Sequence, residues 1–125
     1  MKPEVRFHIR DGDRSTKLGI GPGKVALLEA IAQTGSITAA AKTLGMSYRR
    51  AWMLVDETNR CLVHPAVETV AGGPKGGGTA LTEFGVELVR RYRALERQTE
   101  VAVTRELRSM FRAIPSGAPR PSNRR

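Results

Sequence analysis

The segment TVAGGPKGGGTALTEFG, residues 69–85, sets five glycines (Gly72, Gly73, Gly76, Gly77 and Gly78) around one lysine, Lys75. Two kinds of chemistry call for a cationic finger so poor in side chains. One is a loop that cradles a nucleotide phosphate; the other is a hairpin tip lying against a nucleic-acid backbone. A phosphate loop needs two glycines five apart, then Lys, then Ser or Thr, leading into a helix. Lys75 follows Pro74 and precedes Gly76, and the segment leads into the strand-like TALT. At Gly23-Lys24 the next residue is Val25, and Leu18 stands where the upstream glycine is required. Gly19, Gly21 and Gly23 miss the dinucleotide-binding spacing as well. Cys61 and His64 are too few for a zinc site, which wants about four ligands. His8 has no partner at ligand spacing, and no nucleophile–base pair is visible. No catalytic residue, metal site or cofactor is expected, and the chain does not read as an enzyme.

A second constellation, SYRRAWM at 47–53, suits the nucleic-acid alternative. Ser47 is a good N-cap, which puts Tyr48, Arg49 and Arg50 in the first turn of a helix with Trp52 and Met53 one turn on. In a helix-turn-helix these are the positions that reach base edges in the major groove. Arginine binds guanine bidentately or holds phosphates, and Ser47 with the helix N-terminus can hydrogen-bond a phosphate. Ser36, at the start of the preceding helix, joins this DNA-binding set together with Lys75, Gly76 and Gly77 of the glycine loop. Blander readings stand beside these: core packing for Tyr48 and Trp52, a solvated face for Arg49 and Arg50. Asp56 and Glu57 would face phosphates on deep insertion, so the helix is expected to enter end-first. Lys75 should then add affinity more than selectivity, because phosphate contacts carry no sequence information.

The elements that must hold these residues follow from periodicity. VRFHIR (5–10) alternates Val5, Phe7 and Ile9 with polar neighbours, the pattern of a half-buried strand, and Asp11-Gly12 marks a turn. GIGPGK (19–24) reads as a loop. From Gly23 to Thr34, Val25, Leu28 and Ala32 form a helical stripe with Leu27 and Ile31 beside it, and Gly35 ends the helix. Ser36 caps ITAAAKTL, whose inner face is Ile37, Ala40, Ala41 and Leu44, and Gly45 stops it. Ser47 opens a third helix through Leu62 with Ala51, Leu54, Val55 and Thr58 buried. Two short helices joined by a tight turn containing Gly, with alanines at their crossing, describe a helix-turn-helix. AVETV (66–70) and TALT (79–82) flank the glycines as two strands, so the loop becomes a wing.

Thr82 can cap a long helix from Glu83 to about Ala113. Leu81, Leu88, Leu95 and Ala102 recur every seven residues, with Phe84, Tyr92, Val103, Leu107 and Met110 nearby. Such a helix is about 46 Å long, more than so small a core can cover. A homodimer through Leu88, Tyr92, Leu95, Val103 and Leu107 is the expectation; a helix folded back as two is the alternative. The expected fold is mainly α with a small β-hairpin, a winged helix-turn-helix plus a long C-terminal dimerisation helix. Residues 1–81 form the DNA-binding domain, 82–114 the dimerisation helix, and 115–125 (PSGAPRPSNRR) a disordered basic tail.

Bulk properties agree. The 125 residues carry 21 Lys+Arg against 12 Asp+Glu, a formal charge of +9 spread along the chain, which favours a polyanionic partner. One cysteine, Cys61, cannot form an internal disulfide and is expected near a helix end as packing. No apolar run reaches the ~18 residues of a membrane span, and the N-terminus has no signal-peptide core. A cytoplasmic protein with no membrane partner is expected.

Two blocks, GSITAAAKTLGMSYRRAWMLVDETN (35–59) and GGPKGGGTALTEFG (72–85), strongly resemble the N-terminal DNA-binding domain of ModE-type molybdate-responsive regulators. That winged-helix group is similar to the DNA-binding domain of LysR-type factors. The resemblance spans roughly residues 18–110. It implies a bacterial homodimeric transcriptional regulator that binds double-stranded DNA at a palindromic operator near molybdenum-related genes. Ser47, Tyr48, Arg49, Arg50 and Trp52 match its recognition-helix motif, and Lys75 matches its wing. Members carry C-terminal molybdate-binding domains, whereas this chain stops at Arg125. No oxyanion pocket is expected in it, whether it is a single-domain version or a fragment. From a different class, the alternative is a protein-interaction module acting on a larger regulator without reading sequence.

Overall fold

A computed structural model describes residues 2–13, 19–73 and 76–113. Lys75 and the basic tail at 115–125 lie outside the described residues. In chain order the elements are β1 (Ile9–Arg10), β2 (Gly19–Ile20), α1 (Pro22–Thr34), α2 (Ile37–Leu44), α3 (Tyr48–Cys61), β3 (Val67–Gly73), β4 (Gly76–Leu81) and α4 (Glu83–Ala113). The expected fold class is the one observed: three helices, an antiparallel hairpin after them, and one long C-terminal helix.

The N-terminal strand is shorter than its alternation suggests. Only Ile9 and Arg10 pair, antiparallel, opposite Ile20 and Gly19. The period of two survives as burial, with Val5, Phe7 and Ile9 turned inward and their neighbours outward. The cause is the partner: Gly19–Ile20, expected as loop, offers two residues before Pro22 opens α1. A proline lacks the N–H that would extend the ladder but suits a first helical turn.

Each helix of the next trio starts and stops on its own residues. Gly35 ends α1 in the left-handed region (φ 76°) and returns its N–H to the Ile31 carbonyl. The Ser36 Oγ accepts from the Ala39 N–H at 2.9 Å, and Gly45 (φ 68°) ends α2 after eight residues. The Ser47 Oγ accepts from the Arg50 N–H at 3.1 Å to open α3. Inside, Leu27, Leu28, Ile31, Ala40, Ala41, Ala51 and Val55 form one buried cluster with Ala66 and Val67. Alanines at 40, 41 and 51 let α2 and α3 cross closely. Two expected core positions lie outside it. Ala32 is exposed while Ala30 is buried, because the stripe follows 27, 30 and 31; Leu44 sits at the rim of its short helix.

One side chain that periodicity could not single out fixes the hairpin to α3. The Asn59 Oδ1 accepts from the Ala66 and Val67 N–H groups at 2.8 and 3.2 Å, and its Nδ2 donates to the Val67 carbonyl at 3.1 Å. Replacing Asn59 with Ala leaves three part-buried backbone groups without partners. The expected result is a loss of about 2–4 kcal/mol in urea unfolding with an unchanged m-value.

Helix α4 begins as read. The Thr82 Oγ1 accepts from the Gly85 N–H at 2.9 Å and donates to the Pro65 carbonyl at 2.7 Å. Gly85 is required by contact: a Cβ there would run into the Ala66 carbonyl. The first turns of α4 complete the domain core. Tyr92 is 2% exposed, packs with Ile20 and Val25, and donates its hydroxyl to the Phe7 carbonyl at 2.7 Å. Burial raises its phenol pKa. Tyr92, read from sequence as a dimerisation residue, is therefore occupied within its own chain, and Leu88 packs against both core clusters. Arg93 ties α4 to α1 through two hydrogen bonds to Glu29, at 2.9 and 2.6 Å, and a third to Glu96. Those bonds, Glu29 first, raise its pKa.

Candidate nucleic-acid interface

The first turn of α3 is open. Ser47, Tyr48, Arg49, Arg50, Trp52 and Met53 are all exposed, while Ala51, Val55 and Thr58 on the opposite side are buried. The bland reading of Trp52 as core packing does not hold: it is 49% exposed. Tyr48, Arg49, Trp52 and Met53 line one hollow. Among the described residues neither Arg49 nor Arg50 has a carboxylate partner. Further along the helix the charges are paired, Asp56 with Arg60 at 3.0 Å and Glu57 with Lys24 at 3.6 Å. The two acids expected to resist deep insertion are thus partly neutralised, and the uncompensated positive charge lies at the N-terminal end.

The hairpin stands beside that end. β3 pairs antiparallel with β4 from Val67↔Leu81 through Val70↔Gly78 to Gly73↔Gly76, with an irregularity between Val70 and Gly73. Both strands run further into the glycines than the AVETV and TALT runs imply, out to the Gly73↔Gly76 pair, and Gly76 and Gly77 are strand residues. The hairpin base is anchored to the α1–α2 turn, where the Thr79 N–H donates to the Gly35 carbonyl at 2.9 Å. A Cβ on Gly78 would lie 2.8 Å from that same oxygen, so glycine is what lets the two backbones meet.

A groove results between the start of α2, the start of α3 and the hairpin, lined by Ser36, Thr38, Tyr48, Thr69 and Thr79 along with Ile37, Val70 and Gly78. Sequence reasoning placed Ser36 and Tyr48 here. It missed Thr38, Thr69 and Thr79, which became a set only when β3 and β4 met at Thr69↔Thr79. Five hydroxyls beside two helix N-termini make a surface of hydrogen-bond donors suited to phosphate oxygens.

The dimerisation set divides. Leu88 and Tyr92 belong to the domain core, whereas Leu95 is 43% exposed and Val103 and Leu107 are half-buried on the part of α4 beyond it. Among the described residues there is no cluster of three or more metal-ligating side chains, and no helix is long and apolar enough to cross a membrane.

No family model matches the chain. It is 42% identical over 93 residues, 74% of its length, to the molybdenum transport protein ModE of Azotobacter vinelandii, covering 34% of that protein. Against the protein of the same name from Herbaspirillum seropedicae it is 52% identical over 73 residues, covering 58% of this chain and 27% of the relative. The DNA-binding transcriptional dual regulator ModE of Escherichia coli K12 matches at 42% identity over 76 residues, 61% of this chain and 29% of that one. Among solved structures, ArgP from Mycobacterium tuberculosis aligns at a TM-score of 0.47 with 21% identity, covering 72% of this chain and 30% of that one; so slight a likeness carries no argument. The chain spans about a third of the length of the curated relatives it matches. Over most of its own length, then, the chain is similar to proteins named ModE, and the segment it shares with them is folded here as a winged helix-turn-helix.

Proposed function

We propose that this chain is a sequence-specific DNA-binding element of a ModE-type transcriptional regulator linked to molybdenum, binding a palindromic operator as a homodimer. One observation supports the reading above others: Arg49, without a carboxylate partner among the described residues, lines a hollow with Tyr48, and Tyr48 also lines the hydroxyl-bearing groove at the foot of the wing. In this reading α3 enters the major groove end-first, with Arg49 and Arg50 on guanines or phosphates. Ser36, Ser47, Gly76, Gly77 and Lys75 hold the backbone on either side. Residues 1–81 read DNA, the part of 82–114 that outruns the core pairs two copies through Leu95, Val103 and Leu107, and the tail adds charge. The reading gives the chain no catalytic role and no cofactor, and places it with the DNA in the cytoplasm.

Counterion release supplies the test. Contacts to phosphates release condensed cations, so log K falls linearly with log salt, by about 0.9 for each phosphate contacted. Fluorescence anisotropy with a labelled duplex at rising salt should show a slope of several units. Salt-insensitive binding, or none at low salt, contradicts the proposal and favours the protein-interaction module.

A further inference from the structure

The apolar part of the α3 tip has no use yet in that reading. Tyr48 and Met53 are about as exposed as Trp52, the chain's single tryptophan. Side chains of this size dominate cores and interfaces when buried, and one turn away Ala51 and Val55 are buried on the same helix. Tyr48 and Trp52 are four apart, as are Arg49 and Met53, and the two neighbouring pairs line one surface hollow, so the apolar side chains form a patch that includes the Arg49 cation. Clustered apolar side chains rimmed by polar ones mark an interaction site. The rim here is cationic and continuous, through Tyr48, with the hydroxyl-lined groove, which suits a nucleic acid better than a protein face.

Within the major groove a single base carries an apolar group, the C5 methyl of thymine, and the minor groove offers none. Resting on the DNA-reading proposal, we infer that Tyr48, Trp52 and Met53 form a thymine-methyl-reading surface. Each half-site carries at least one thymine seated on this patch, next to the base or phosphate taken by Arg49. These three residues then set specificity by exclusion of water, where the arginines set it by hydrogen bonds.

Deoxyuridine isolates the methyl, because it pairs like thymine and lacks only that group. A duplex that the protein binds specifically is made with each half-site thymine replaced by deoxyuridine, singly and together. Affinity should fall about fourfold for each methyl that the patch covers. The same replacement should change nothing for the Trp52→Ala and Met53→Ala proteins, whose helix content, followed by circular dichroism, should match the parent because both side chains are on the surface. Equal affinity of the parent protein for the thymine and deoxyuridine duplexes overturns this inference and leaves DNA reading intact. Failure to bind any duplex specifically overturns the DNA reading itself.

Discussion

The double substitution Arg49→Ala/Arg50→Ala is expected to weaken binding to a specific duplex about a hundredfold or more and to leave the fold unchanged. Neither guanidinium has a carboxylate partner among the described residues, and both are exposed, so their removal orphans nothing inside the chain. An arginine that reads a guanine bidentately contributes about 1–3 kcal/mol of discrimination, and one that holds a phosphate contributes without regard to sequence. The single variants separate these roles. Loss confined to the specific duplex marks a base reader; equal loss on specific and random duplexes, with a shallower salt slope, marks a phosphate contact. Unchanged affinity of the double variant in a competition gel shift removes α3 as the reading element.

Val103→Asp/Leu107→Asp carries the second large effect, on assembly. In the proposed dimer the apolar positions of α4 continue from Val89 and Tyr92 at the core to Val103 and Leu107, which lie past the two core clusters and stay half-buried in the single chain. Two carboxylates on that stripe must be desolvated if a second copy packs there, whereas in a monomer these half-buried positions leave them in reach of water. Sedimentation should show a dimer for the parent and a monomer for the variant, with unchanged unfolding of the winged unit. Because one tethered half raises the effective concentration of the other, affinity for a two-half-site duplex should fall about 10²–10⁴-fold, while affinity for a single half-site is unchanged. A variant that sediments as a dimeric parent does places the contact elsewhere, and a parent already monomeric contradicts the proposed homodimer. Tyr92 cannot serve as a probe, since its hydroxyl and ring hold Phe7 and the core.

The parts of the fold legible in advance were those written locally. Ser36, Ser47 and Thr82 bond the N–H groups of their own first turns, and Gly35 and Gly45 take the left-handed exits, so helix ends could be read within a few residues of sequence. What escaped depends on distance along the chain. Asn59 clamps backbone seven and eight residues on, and Arg93 finds Glu29 across 64 positions, with no periodic signal in either case. Tyr92 lies on one apolar stripe with Val103, and periodicity cannot say where a domain's cover stops. At the site, the arginines were legible because a capped helix start fixes which residues occupy its first turn. Trp52 was ambiguous because Tyr48, Trp52 and Val55 follow helical spacing as a buried stripe would, although only Val55 is covered. The hydroxyl groove became visible only with the register of β3 and β4.

Everything proposed for this chain depends on two winged units presenting two α3 tips to one duplex. Sequencing the sites retained from a random pool of duplex DNA tests that most directly. The account predicts an enriched inverted repeat whose half-sites lie about one or a few helical turns apart, each containing thymine. A pool with no enriched motif, or one enriched in a single unrepeated half-site, contradicts it.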